Sequence, residues 1–312
     1  MQAEAEAAAW VAAYAAQADA LKESTAAATE AAWLSFEEWY NPVLVAAMAR
    51  EMAGLSTAAQ DTVAGLAAEY MTQTVGAIGG IVIPQPRNIA SPIRNGVDLR
   101  LVHHRPAEAY KKAIATGSDH AEALVKAGIR AKGLAFTDLS LQARNAQQTI
   151  LNLAGITTFR RVIRPELSKT GTCGMCIVAA DQVYNSGDLM PLHPPSCNCA
   201  VMPIIGDNDP GRQMNREDLD QLYADAGSNR FDDLARTRYT VNQHGEFGPT
   251  LTKTGDNFRG PDKVALEDDP ERAARMLEKT LPVLERLEAA GGPEGPLAYQ
   301  RDLVAKLRRI VG

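Results

Sequence analysis

The sequence predicts an α+β fold that is predominantly α-helical, and three observations carry that reading. The first 80 residues are Ala-rich and helically periodic, two β-branched stretches flank the four cysteines of the chain, and a charged helical pattern opened by Asp269-Pro270 closes it. The expected order is an N-terminal helical arm or bundle over 1–80 and a connector over 81–105. A central helical domain with a small β-hairpin knuckle follows over 106–206, then a C-terminal hairpin and helical tail over 207–312.

From Ala3 to Lys22 the chain is dominated by Ala, the residue of highest helix propensity, with Trp10, Tyr14, Ala18 and Leu21 on one face. A second helix is expected from about Thr25, with Trp33, Phe36 and Tyr40 in step until Pro42. Thr57 followed by Gln60 reads as a capping box opening a third helix to about Ala77. Gly79-Gly80, Pro84, Pro86 and Pro92 then break the pattern.

Helix resumes at Pro106, runs from Ser118 as N-cap to Ala131, and again from about Asp138 to Leu153, with Gly155 as its stop. Thr157–Arg164 and Ala200–Ile205 are candidate strands, and Pro203 argues for an edge position in the second. A short helix is expected near Glu217–Ala226, and Tyr239–Leu251 reads as a hairpin around His244-Gly245. Helices are expected from Asp269-Pro270 to Ala289 and over Leu297–Ile310.

Composition narrows the function. Hydrophobic residues make up 46% and charged residues 22% of the chain, ordinary for a globular protein, and the net charge of −6 argues against coating nucleic acid. No run approaches the roughly 18 apolar residues that a membrane span needs, and Glu4 and Glu6 stand where an export signal would carry positive charge.

All four cysteines fall between 173 and 199. Cys173-x-x-Cys176 places two thiolates where they reach one Zn²⁺ at about 2.3 Å. His193, Cys197 and Cys199 offer three candidates for the remaining two positions. Thiolates with at most one imidazole select zinc, and a site closed by four protein ligands is structural. Pro194 and Pro195 stiffen the second half and lower the entropy lost when a metal locks it. A disulfide such as Cys173–Cys199, or free thiols, are the other readings of the same cluster.

Phe159–Cys176, Tyr184 and His193-Pro-Pro-Ser-Cys197-Asn-Cys199-Ala-Val-Met-Pro203 together resemble the MuF-like minor head proteins of tailed phages, most closely the versions from phages of actinobacteria. That pattern is a Cys-x-x-Cys, a short helix with a Tyr, a His-Pro, a Cys-x-Cys and a following Pro. It covers about residues 106–206. Pro195 lengthens the His-to-Cys spacing relative to many members, which leaves Cys197 and Cys199 as alternatives.

The resemblance implies a low-copy virion protein of the capsid interior at the portal vertex, assembled in the host cytoplasm. Portal protein and inner capsid or scaffold would be its partners. Many relatives carry the label capsid maturation protease, which makes a protease acting on scaffold or capsid the alternative function.

Other constellations are weaker. No Gly-x-Ser-x-Gly, His-Glu-x-x-His or Walker sequence occurs; His103, His104 and His120 are expected to be surface or capping histidines, the other reading being a base that the fold brings to a serine. Asp207-Asn-Asp209-Pro-Gly211 has the look of a calcium loop without its distal Glu and is expected to be a turn. Arg160, Arg161, Arg164 and Lys169 are expected to form a basic patch, either a contact for DNA or an acidic partner surface, or a solvated strand edge.

Overall fold

The structure is a computed structural model that describes residues 2–83, 92–162, 180, 183–185, 199–216, 239–244, 246–253 and 265–312. Seven long or short helices and five strands have defined bounds in it. Helix α1 spans Gln2–Leu34, α2 Pro42–Gly79, α3 Leu99–Val102, α4 Arg105–Ala115 and α5 His120–Leu153. Strands β1 Thr158–Val162, β2 Val183–Asn185 and β3 Ala200–Ile204 follow, then β4 Tyr239–His244 and β5 Gly248–Lys253. Helices α6 Pro270–Ala289 and α7 Glu294–Val311 complete the chain. The expectation of a mainly helical α+β protein is met.

Several helix ends lie where local chemistry puts them. Asn41 Oδ1 accepts from the backbone N–H groups of Val43 and Leu44, capping α2 one residue before Pro42. Gly80, at φ +64, and Gly155, at φ +67, end α2 and α5 in the left-handed conformation that glycine adopts without a Cβ penalty. Pro106 lies in the first turn of α4, and Asp269 Oδ1 accepts from Arg272 N at 3.0 Å to cap α6.

Three expected boundaries are absent. Helix α1 runs without interruption through Thr25 to Leu34, because nothing between Lys22 and Thr25 breaks it and Thr29 Oγ1 donates back to Thr25 O inside the helix. Phe36 and Tyr40 therefore lie in the turn after α1. Thr57 is mid-helix in α2, where its hydroxyl donates to Ala53 O at 2.8 Å instead of capping an N-terminus. The third helix of the central block begins one residue later than expected, with Asp119 Oδ1 accepting from Glu122 N, and continues through Gly133 to Leu153 as one helix. The connector, too, is not featureless: α3 sits in it, capped by Asp98.

The chain gathers into two compact units, each drawn from three stretches: Met1–Lys22, Ala58–Gly96 and Thr137–Phe258 in the first, Glu23–Thr57, Val97–Phe136 and Arg259–Gly312 in the second. The first unit holds the β1–β3 sheet, with order β2-β1-β3 and all pairs antiparallel. Its core joins Met71 and Val75 of α2, Ile150 and Leu151 of α5, and Phe159, Val162 and Met202 of the sheet. The second unit is built around Trp33, Trp39, Val45, Tyr110, Ala123 and Ala127. Trp39 stacks on Tyr110 with centroids 4.2 Å apart, and Gln300 Nε2 donates to both Ala115 O and Thr280 O, fastening α4, α6 and α7.

Among the described strands β3 is an edge, as Pro203 predicts. Tyr70 OH donates to Val201 O, and Asn215 Nδ2 donates to Arg161 O at 2.7 Å. Val201 is paired with Arg161, so both carbonyls of this pair are taken by side chains from outside the ladder. Pro203, paired with Phe159 two residues along, stands in the same phase of the antiparallel pattern, and its missing N–H removes no β1–β3 bond.

Candidate metal centre and a buried arginine cleft

The five candidate zinc donors fall on one segment whose ends the sheet joins. Val162, the last residue of β1, pairs with Ala200, the first of β3. The two ends of the segment 163–199, which includes β2, are thus joined by the sheet, and this segment contains Cys173, Cys176, His193, Cys197 and Cys199. Cys199 is half-buried immediately before β3. Cys173, Cys176, His193 and Cys197 lie outside the described residues, as do Arg164, Lys169 and the expected helix near Glu217–Ala226. Among the described residues no group of three or more His, Cys, Asp or Glu side chains is arranged to hold a metal ion. Tyr184 lies on β2, not on the short helix that the resemblance implies, and its ring stacks on Phe159 at 5.4 Å.

The basic patch expected beside this segment is not on the surface at Arg160 and Arg161, which are 6% and 3% exposed. Arg160 Nε and Nη2 both donate to the Asp209 carboxylate, at 2.9 and 2.6 Å to Oδ2, and Nη1 donates to Ala180 O. The cause is the position of β1. It is the middle strand, and its burial continues from Phe159 to Val162 on both faces, so both arginines are drawn inward and Arg160 is neutralised there by Asp209. Asp209 also accepts from Arg212 N to start a helical turn over 210–216. Of the turn expected over Asp207–Gly211, Asp207–Asp209 lie in a turn, with Ile205 and Asn208 bridged and Gly206 at φ +60, while Pro210 and Gly211 open the helical turn.

The candidate histidines are dispersed within the second unit. His103 is fully buried, His104 sits at the N-cap position of α4, and His120 Nδ1 is 2.8 Å from Tyr110 OH.

A second site escapes the sequence reading. Arg94 and Asn95 have φ of +54 and +52, with Gly96 at +78, and Gly96 N donates to Ile93 O at 3.0 Å. This is a left-handed turn of type I′ character, in which the backbone of a non-glycine residue such as Arg94 is strained by about 1–3 kcal/mol. The Arg94 side chain is fully buried: Nε donates to Asp138 Oδ1 at 2.5 Å, Nη1 donates to Glu246 Oε2 at 2.8 Å, and the guanidinium lies 5.1 Å from the centre of the Phe247 ring. Glu246 and Phe247 belong to the turn between β4 and β5. There His244 Nδ1 accepts from both of their backbone N–H groups, and its ring stacks on Phe247. Arg144 Nη2 donates to Phe247 O at 3.0 Å.

Arg94, Asn95, Arg144, Glu246 and Phe247 line a cleft of about 280 Å³ with Leu141, Asn145, Gln148 and Thr149 of α5. The Asn95-Gly96 dipeptide is a sequence signal for the turn. No local signal could pair Arg94 with carboxylates 44 and 152 positions away.

Comparison with known proteins adds no relative: no family model matches the chain, and no curated protein or solved structure shows significant similarity to it. No described helix is long and apolar enough to cross a membrane.

Proposed function

We propose that this chain is a structural minor head protein of a tailed phage, of the MuF-like kind, whose central region is fastened by a zinc knuckle. The observation that carries the reading is the order of donors along a segment whose two ends the sheet joins. Cys173-x-x-Cys176, His193 and Cys197/Cys199 follow one another between β1 and β3, and Val162 pairs with Ala200 at the base. Joining those ends removes part of the entropy that a metal would otherwise have to overcome in gathering ligands.

The donors fit zinc. Three soft thiolates with one imidazole, or four thiolates, suit a tetrahedral Zn²⁺, and Cys199 is half-buried at the end of the sheet where such a site would be anchored. Cys173 and Cys176 would supply one half of the coordination, with two of His193, Cys197 and Cys199 supplying the other. The metal would hold the segment and leave no open position for chemistry. In this reading the Ala-rich helices α1 and α2 offer faces to the portal protein and to the inner capsid or scaffold.

The test is elemental analysis of the purified full chain together with unfolding before and after chelation. About one zinc per chain, and a chelator-induced drop in melting temperature, are expected. A metal-free protein containing a Cys–Cys bond, with unchanged unfolding, overturns the knuckle. Cross-linking in purified procapsids reads the second part: adducts to portal protein are expected, and their absence with the chain present in the particle overturns the portal assignment.

A further inference from the structure

The Arg94 cleft has a chemistry that the knuckle does not use. Arg94 is 2% exposed, and two of its three nitrogens are engaged by single bonds, one to Asp138 and one to Glu246. The third, Nη2, is buried with no hydrogen-bond acceptor among the described residues. A carboxylate matches a guanidinium best as a two-bond fork, which is both stronger and more selective than one bond. Here each carboxylate gives one bond, and the fork is left half-filled.

The two carboxylates also differ. Asp138 is fully buried on α5, whereas Glu246 is 22% exposed at the tip of the β4–β5 turn. Both Glu246 and Arg94 line the cleft of about 280 Å³. The orphaned Nη2 is a buried donor without an acceptor, a state that costs free energy until an acceptor arrives.

We propose that this cleft is a carboxylate-binding site, in which Glu246 is an internal, removable occupant and an incoming carboxylate takes the Nη1–Nη2 edge of Arg94. Charge supports a single acid. With Glu246 in place the formal charges of Arg94, Arg144, Asp138 and Glu246 cancel; with Glu246 withdrawn the site carries one surplus positive charge. Asp138 stays bonded to Nε, so the guanidinium keeps its orientation during the exchange.

The size of the cleft lies at the lower end of small-molecule sites, which suits an acid of a few carbons or one acidic side chain. Leu141 and Phe247 give it apolar walls, and Asn145, Gln148 and Thr149 bring polar groups to its rim.

Propionate is the probe and propionamide its uncharged isostere, with affinity read from broadening of the small molecule's NMR signals in the presence of the full chain. The wild type should bind propionate weakly. Glu246→Gln should bind it about tenfold more tightly, because the competing internal state is removed. Propionamide should bind neither, and Arg94→Lys, which keeps the charge but loses the fork, should abolish binding. An equal affinity of Glu246→Gln and wild type for propionate, or binding of propionamide as strong as that of propionate, overturns the proposal.

Should Glu246→Gln fail to fold by circular dichroism, the wild type alone decides. Propionate must then shift the amide resonances of Glu246 and Phe247 where propionamide does not, and unshifted resonances overturn the site. A capped Gly-Asp-Gly peptide binding more tightly than propionate supports an acidic protein segment as the source, and weaker binding supports a free organic acid.

Discussion

In the unit that carries β1–β3, the interior contains charge: Arg94 with Asp138, Arg160 with Asp209, and Asn215 reaching two backbone carbonyls at Arg161 and Ala180. In the unit that carries α6 and α7, the interior is aromatic, with Trp33, Trp39 and Tyr110 stacked in series and Tyr40 set edge-on to both Tyr110 and Tyr299. The contrast teaches where each unit is vulnerable. A buried ion pair adds little net stability over an apolar replacement but is costly to break from one side. An aromatic stack loses stability roughly in proportion to the area and volume removed.

The largest test of that contrast is Asp209→Ala. It leaves the Arg160 guanidinium buried without its carboxylate and should cost about 3–5 kcal/mol in denaturant unfolding. The double variant Arg160→Met with Asp209→Leu should recover most of the loss, and a double variant as unstable as the single one would break the comparison.

The aromatic unit has a different signature, in alkali. Burial, with a smaller contribution from neighbouring Tyr110, pushes the Tyr40 hydroxyl up to about 12, and burial with Glu108 and Tyr40 pushes Tyr299 higher still. The folded state thus holds protons that the unfolded chain releases near pH 10. Stability from these groups is full below pH 10 and falls as pH rises from there toward 12. Absorbance of phenolate should therefore rise together with loss of near-ultraviolet circular dichroism, and ionisation complete at pH 10.5 with the fold intact would contradict the buried arrangement.

Smallest are the caps. Asp269→Ala should cost about 1 kcal/mol, because it removes the acceptor for Arg272 N at the start of α6. Thr57→Ala should change stability by less than about 0.5 kcal/mol, since its hydroxyl only donates back along α2 and Ala is the better helix former. A loss of 1 kcal/mol there would restore the capping reading.

Those two residues show how far the sequence speaks. Asp269-Pro270, Pro106 and Gly155 announce helix ends because each acts on backbone groups within four residues, whatever surrounds it. Thr57 carries similar local chemistry, yet α2 keeps burying apolar residues beyond it, and packing overrides the cap, whereas at Ser118 the cap passes to Asp119 one residue on. β1, β3 and the β4–β5 hairpin are legible from β-branching and turn signals, whereas β2 is not, because three residues around Tyr184 carry too little pattern to mark a strand.

The interior placement of Arg160 and Arg161 was not legible, because it depends on both faces of β1 being covered. The Arg94 cleft was invisible for a stronger reason: its partners come from α5 and a distant hairpin, and a charged residue reads as surface unless its partner is known. Of the metal centre, donor identity and order are written in the sequence, and the joining of the segment's two ends emerges only from the register of β1 and β3.

The Tyr70 hydroxyl on Val201 has a consequence for the company this protein keeps. A sheet edge with open carbonyls and N–H groups is a template on which another chain can add a strand. On β3 the Val201 carbonyl is already plugged by Tyr70, and two residues on Pro203 offers no donor at all. Strand addition along β3 would meet two blanks in succession, so a partner chain is kept from extending the sheet at this edge.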